Sequence, residues 1–168
     1  DLPTIDEDCR MLQGLPAVAV RTLRALESSP HNIEEGPPLR ADPTVIMTWN
    51  SNGVGPLLKK TACLRDLNAT LQQRNVDVLF IQEVKLRAHE SGDQCRVCEK
   101  DESLLAAFLL HFPEYHCILS LDLKRKYAGQ MLLYHRALKR PAMSFNYGAE
   151  PLVHHPEGRV MIAEFAHV

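Results

Sequence analysis

Two short apolar runs, "TVIMTWN" (residues 44–50) and "VDVLFIQ" (residues 76–82), constrain the fold of this chain most strongly. Both are rich in β-branched and aromatic residues, which is typical of buried strands. The segment between them carries leucines on one helical face, at Leu57, Leu64, Leu67 and Leu71. A strand, a helix and a second strand with a crossover of this length predict parallel pairing. The chain is therefore expected to be an α/β protein.

The rest of the chain predicts one more helix and three more strands. The run "SLLAAFLLHF" predicts a helix over residues 103–112 with Ser103 as its N-cap. Apolar runs at 115–123 and 129–138 flank the basic turn "KRKYAG", and they predict an antiparallel hairpin with a different architecture from the first half. Residues 159–168 predict a final strand.

Residues 1–43 have the composition of an extension. "LPAVAVRTLRALESS" predicts a helix that begins at Pro16. "SPHNIEEGPPLRADP" contains four prolines and a glycine, which is typical of a linker. We therefore predict an N-terminal helical extension with a Pro-rich linker over residues 1–43, and one main domain over residues 44–168.

Charge and cysteine content restrict the environment and the partners. The net charge of −2 and the pI near 6.5 exclude a general basic coat, so any surface that binds a polyanion must be local. Five cysteines are an odd number without a regular spacing, and this favours a reduced, intracellular chain over a disulfide framework. No apolar run approaches the roughly 20 residues of a membrane span.

Polar side chains follow the two predicted parallel strands where each strand ends. Asn50 ends the first strand and Glu83 follows the second. Ligands of open α/β sheets gather at the carboxyl ends of the strands, and Mg²⁺ (or Mn²⁺) takes oxygen ligands, often one or two carboxylates with water and phosphate. A metal site is one interpretation. The other is that Gln82, Glu83 and Lys85 only mark a strand that meets solvent, and spacing alone does not separate the two.

Four blocks of sequence resemble the exonuclease III/AP endonuclease family of the endonuclease/exonuclease/phosphatase superfamily. They are "IMTWNSNGV", "DVLFIQEVK", "KYAGQMLL" and "HHPEGRVMIAEF", in the family's order. The resemblance covers residues 44–168, and it implies the first half of a deoxyribonuclease I-like four-layer α/β sandwich. The family's later Y-x-P-N, G-D-x-N and S-D-H blocks do not occur in this sequence. We therefore expect a second segment or a second chain to complete the sandwich.

The resemblance also implies roles for individual residues. Glu83 matches the family's metal-binding glutamate, Asn50 matches an asparagine that supports the metal and the scissile phosphate, and Asn52 lies near the metal. Nucleic-acid contacts are implied or suggested for Tyr127, Gly129, Arg159, Lys85, Lys59 and Lys60. Alternatives stay open for three of these. Arg159 is interpreted first as an ion pair with a carboxylate such as Glu157. Lys59 and Lys60 are interpreted first as a solvated helix face, although they could replace a phosphate-facing arginine that this chain lacks.

These expectations define two functional hypotheses. The first is the N-terminal half of a Mg²⁺-dependent AP endonuclease-like phosphodiesterase, which acts on DNA with abasic sites in the nucleus or mitochondrion and needs a second segment. The second is a catalytically inactive descendant that serves as a structural subunit of a larger assembly, such as an organellar ribonucleoprotein.

A C-x₂-C pair at Cys95 and Cys98 is half of a zinc site. No second pair closes a ligand set, so the sequence favours two reduced thiols in a polar loop, with zinc as the weaker alternative.

Overall fold

A computed structural model of the chain describes residues 39–148 and 153–165. The predicted helix at Pro16 and most of the predicted linker lie outside these ranges. The elements are β1 (Ile46–Asn50), α1 (Val54–Leu58), α2 (Thr61–Gln73), β2 (Val78–Gln82), α3 (Glu99–Leu109), β3 (Tyr115–Ser120), β4 (Gln130–His135), β5 (Ala142–Ser144) and β6 (Ile162–Glu164). Within the described ranges, no helix is both long enough and apolar enough to cross a bilayer.

The central sheet has the order β1-β2-β4-β3. Strands β1 and β2 are parallel, with Asn50 opposite Gln82, and β3 and β4 form an antiparallel pair, so both pairings predicted from the sequence are confirmed. The sequence did not predict how the antiparallel strands join the parallel pair. Strand β4 also pairs antiparallel with β2, which places all four strands in one mixed sheet.

Two helix predictions differ from the structure at their boundaries. The helix expected between the first two strands is divided into α1 and α2, because Lys60 leaves the helical region with φ −116° and ψ 60°. Ser103 is not an N-cap: α3 begins four residues earlier, after Cys98. Its first turn contains Glu99, Asp101 and Glu102. Negative side chains in the first turn interact favourably with the helix dipole. The predicted start of the helix was too late because it was placed at the beginning of the apolar run.

Both faces of the sheet are packed in its centre. One face contributes Leu79, Ile81 and Leu133 to a core that includes side chains from α1, α2 and α3. The opposite face contributes Val78, Leu132 and Tyr134 to a second cluster with Phe145 and Met161. Consecutive residues of β2 and β4 therefore enter different cores, which explains why these strands are apolar along their whole length.

The buried carboxylate of Asp77 fixes the start of β1 against β2. It accepts hydrogen bonds from the Thr44 amide (2.7 Å), the Thr44 hydroxyl (2.8 Å) and the Val45 amide (3.2 Å), and it pairs with Arg40. Burial alone would raise the pKa of this carboxyl. The hydrogen bonds from Thr44, Arg40 and Val45 outweigh burial and lower the pKa below its ordinary value. Arg40 is thus tied to the main domain, and the domain boundary after residue 43 stays a prediction.

Candidate active site

The parallel register of β1 and β2 brings the two predicted catalytic side chains into contact. Asn50 is the last residue of β1, and Glu83 follows the last residue of β2. The Asn50 amide nitrogen, Nδ2, donates a 2.8 Å hydrogen bond to Glu83 Oε1. Both side chains are accessible to solvent. The sheet therefore presents a carboxylate supported by an amide at its edge.

Three residues at this edge have a left-handed backbone. Asn52, Glu83 and Lys85 have φ values of 51°, 52° and 53°. A side chain in this region costs roughly 1–2 kcal/mol for most residues, although asparagine tolerates it better. Strained backbone of this kind is concentrated at functional sites, where the surrounding structure holds it in place. Left-handed backbone occurs at both Glu83 and Lys85. This supports a functional site here, independently of the sequence motifs.

Hydrogen bonds from two other segments hold this backbone. The Val84 amide donates to Gly129 O (3.2 Å), and Val84 O accepts from the Val54 amide (3.0 Å) at the start of α1. The buried Ser51 hydroxyl lies 3.1 Å from both Gln82 O and Glu83 O. Gly129 has φ 84°, and a Cβ at this position would lie 3.0 Å from the Val84 side chain. The position predicted to touch DNA thus also needs glycine for packing.

Electrostatics keep Glu83 ionised. The hydrogen bond from Asn50 is the main cause that lowers the pKa of the Glu83 carboxyl, with further lowering by the positive charges of Lys85 and Arg159. The Lys85 ammonium lies 3.6 Å from Glu83 Oε2 and donates a hydrogen bond to the Asn52 side-chain oxygen. Asn52 Oδ1, predicted to lie near a metal, is therefore bound to Lys85 in this structure.

Arg159 and Tyr127 form a second group beside the acid. The Arg159 guanidinium pairs with Glu157 and lies 5.4 Å from the centre of the Tyr127 ring. Its hydrogen bond to Glu157 raises the pKa of Arg159. Tyr127 is 62% exposed, so much of its aromatic ring stays open beside the Arg159 guanidinium. The ion pair that the sequence favoured for Arg159 is present, and it leaves the guanidinium half-exposed.

The structure does not bring every predicted residue together. Lys59 and Lys60 lie at the far end of α1, which begins beside Val84, and within the described part of the chain they form no ion pair or hydrogen bond with Asn50 or Glu83. Cys95 and Cys98 take different partners: Cys98 is buried and lies 3.5 Å from Asp101 Oδ2, whereas Cys95 lies beside His154. Among residues 39–148 and 153–165, no three His, Cys, Asp or Glu side chains lie close enough to hold a metal ion.

The Glu83 carboxylate could supply one oxygen ligand to a hard divalent cation. The carboxylate is ionised and half-exposed, and within residues 39–148 and 153–165 the ion-pair partner of its Oε2 is Lys85 at 3.6 Å. Mg²⁺ commonly binds proteins through one or two carboxylates and completes its shell with water and phosphate. The described residues supply Glu83, with Asn50 as its support.

The sequence analysis assigned no role to Ser51 or to the first residues of the basic turn before Tyr127. Ser51 anchors the ends of β1 and β2, and its hydroxyl also accepts from the Gly53 amide (3.3 Å). A serine two residues before glycine is a typical turn signal that could have indicated this role. Lys124 and Arg125 are exposed in the turn before Tyr127, where their amides bond to Asp122 Oδ1. The basic run "KRK" stands directly before Tyr127 in the sequence, but the sequence alone indicated no role for its first two residues.

Comparisons with known proteins agree on one family. The sequence profile of the endonuclease/exonuclease/phosphatase family matches residues 47–162. A DNA-(apurinic or apyrimidinic site) endonuclease from Arabidopsis thaliana is 30% identical over 136 residues, which cover 74% of this chain and 36% of that protein. A protein of the same name from Plasmodium falciparum is 25% identical over 154 residues, which cover 76% of this chain and 25% of that protein.

The chain thus spans about a quarter to a third of the length of these curated relatives. Among solved structures, the AP endonuclease LMAP from Leishmania major aligns with a TM-score of 0.49 and 23% identity. That alignment covers 89% of this chain and 46% of the other.

Proposed function

Because this chain belongs to the endonuclease/exonuclease/phosphatase family, we propose that it is the N-terminal half of a divalent-metal-dependent phosphodiesterase that acts on DNA at abasic sites. The single observation that carries the proposal is the hydrogen bond between Asn50 and Glu83 at the carboxyl edge of the sheet. The names of the relatives from Arabidopsis and Plasmodium support the choice of DNA as substrate.

In this proposal Asn50 and Glu83 act as a unit. Asn50 holds the Glu83 carboxylate in one orientation and keeps it ionised. Glu83 would hold Mg²⁺ or Mn²⁺ through an oxygen, and Asn52 is the second candidate ligand if Lys85 leaves its Oδ1. When bound, such an ion neutralises phosphate charge and lowers the pKa of a bound water. The left-handed backbone at Glu83 sets the direction of this carboxylate before any substrate arrives.

The same edge offers groups that suit a nucleic-acid backbone. Arg159 has a planar guanidinium that can bind a phosphate in a bidentate manner, and Tyr127 offers an exposed ring for stacking. Lys85 supplies a positive charge beside the acid. Gly129 would allow close approach of a backbone. Lys59 and Lys60 remain candidates for contacts further along the strand.

We further propose that a second segment or chain completes the site, because the described part of the chain contains no cluster of three His, Cys, Asp or Glu side chains that could hold a metal ion. An intracellular compartment that contains DNA, the nucleus or the mitochondrion, follows from this substrate. A fusion can test these points. The chain would be joined to the part of the Arabidopsis relative that follows the matched segment, and incision of a labelled duplex with one abasic site would be measured in Mg²⁺.

The fusion is expected to incise the duplex. Glu83→Gln is expected to lower the rate by at least about tenfold, since even the loss of a residue that only supports a metal ligand typically costs about 10–100-fold. Glu102→Gln removes an exposed carboxylate on α3 and is the matched control, which should retain full activity. Equal rates for the two variants would exclude Glu83 from the metal role. A folded fusion with no incision would reject the nuclease proposal.

One observation favours the second hypothesis, a catalytically inactive structural subunit. The Lys85 ammonium lies between Asn52 and Glu83 and already supplies a cation to both. If this arrangement replaces a metal, the Lys85→Ala variant should bind Mn²⁺ measurably while the original chain does not. If Lys85 only positions the site, both proteins should bind Mn²⁺, and the variant more tightly.

A further inference from the structure

Outside the candidate active site, a cysteine, a histidine and a serine form a chain of contacts. Cys95 Sγ lies 3.4 Å from His154 Nε2, and His154 Nδ1 lies 2.9 Å from the Ser120 hydroxyl. Cys95 comes from the polar loop before α3, Ser120 ends β3, and His154 precedes β6. A thiol next to an imidazole whose other nitrogen is held by a third group is the arrangement that activates cysteine nucleophiles.

The surrounding structure holds the His154 ring and the Cys95 backbone in place. The ring stacks on Phe145 with a centroid distance of 3.8 Å and an interplanar angle of 10°. Gln94, next to Cys95, donates from its side chain to Leu121 O (2.6 Å) and to His155 O (2.8 Å). The loop of the thiol and the segment of the imidazole are thus linked by the same buried amide, so their contact is a fixed feature of the fold.

Ionisation favours a neutral pair. Burial, reinforced by Asp93, raises the pKa of the Cys95 thiol, while Arg140 opposes this. Burial lowers the pKa of His154, and Asp93 opposes this. Asp93 and Arg140 are the charged groups that act on the pair. A neutral pair is compatible with a thiol proton donated to Nε2 and an Nδ1 proton donated to the Ser120 hydroxyl, and this is the tautomer in which Nε2 can accept a proton.

A pocket of about 550 Å³ lies beside the thiol. Its walls include Leu105, Leu109 and Met143, with Arg140 as a positive group. A small molecule with an apolar part and a carboxylate would suit these walls. Cys117 also lines the pocket, but burial raises the pKa of its thiol to about 12, so it is unreactive at neutral pH.

We propose that Cys95 is a modification site for small disulfides that carry carboxylates, and that His154 is its proton acceptor. Cys95 Sγ transfers its proton to His154 Nε2 and attacks one sulfur of the disulfide. The S–S bond breaks, and the leaving sulfur takes the proton from His154. The products are a mixed disulfide on Cys95, which is oxidised, and one free small thiol, which is reduced.

Oxidised glutathione is a suitable probe, and the chain provides its own control in Cys63, an exposed thiol on α2. Peptide mapping by mass spectrometry would give the initial rate of modification at each cysteine of the 168-residue chain. We expect Cys95 to react at least about tenfold faster than Cys63 at pH 7, as general-base assistance commonly provides this much. His154→Gln should remove the advantage of Cys95 and leave Cys63 unchanged.

The pH dependence separates an active base from a merely structural histidine. Since the pKa of His154 is lowered from its ordinary value of 6.5, less than half of the rings are protonated at pH 6.5, and the rate at Cys95 should fall by no more than about twofold between pH 7.5 and 6.5. In His154→Gln only the free thiolate reacts, so the rate should fall about tenfold over the same unit. Arg140→Gln should remove any preference for oxidised glutathione over uncharged hydroxyethyl disulfide.

Equal rates at Cys95 and Cys63, or an unchanged rate in His154→Gln, would overturn the proposal. Circular dichroism melting would establish that His154→Gln is folded. If that variant unfolds, Ser120→Ala is the second test, because it removes the hydrogen bond to His154 Nδ1 without changing the ring itself. The modification rate at Cys95 should then fall, and an unchanged rate would overturn the proposal.

Discussion

At the scale of single residues, the candidate site depends on a short polar contact and a costly backbone. The amide of Asn50 orients Glu83. The Val84 amide donates to Gly129 O and the Val54 amide donates to Val84 O, and these bonds hold the left-handed turn on which Glu83 lies. The sequence predicted the meeting of Asn50 and Glu83, because the ends of parallel strands are adjacent. It could not predict the left-handed φ values or the Lys85–Asn52 contact, because both depend on partners brought together only by the fold.

The Asn50→Ala variant tests the residue-scale account. Loss of the Asn50 hydrogen bond should move the pKa of Glu83 upward, toward its ordinary value of 4.5, because that bond is the largest cause of the lowered pKa. Carboxyl NMR titration would measure the shift. Asn68→Ala on α2 serves as the control and should leave Glu83 unchanged; a Glu83 pKa equal in both variants would show that Asn50 does not support the acid.

At the scale of elements, the register of β1 against β2 places Asn50 beside Glu83, and Asp77 fixes that register. Asp77 belongs to the "DVLFIQEVK" block, yet the structure gives it a purely structural task at the opposite end of the strand from Glu83. The sequence predicted the strands of the mixed sheet but not the insertion of β4 between β2 and β3. Strand order depends on long-range pairing, which local apolar patterns do not encode.

Asp77→Asn should lower the free energy of unfolding by about 2–3 kcal/mol at pH 7, since hydrogen bonds to a buried charge are lost or weakened. The folded-state pKa of Asp77 is lowered below 3.8, so its contribution is present above that pH and is lost as the pH falls through the folded-state pKa. Urea unfolding at pH 7 and near pH 3 should show a difference between the two proteins that shrinks in acid. A constant difference would contradict this role.

At the scale of the whole molecule, four short blocks were sufficient to identify the family. The match over residues 47–162 confirms the family, the AP endonuclease names of the relatives agree with the exonuclease III/AP endonuclease branch, and the mixed sheet with flanking helices confirms the predicted fold class. Family membership alone does not decide between an active nuclease half and an inactive subunit. Because the net charge is −2, any attraction of a polyanion to this edge depends on local cations, of which Lys85 and Arg159 act on Glu83.

Binding of a divalent cation at Glu83 is the point on which the proposed function depends, and paramagnetic Mn²⁺ reports it through line broadening in an NMR titration of the 168-residue chain. The backbone amide signals of Asn52 and Val84 should broaden first. Glu83→Gln should abolish this broadening, whereas Glu102→Gln should not. Broadening of the same amides to the same extent in Glu83→Gln, or first broadening at other acidic residues, would contradict it.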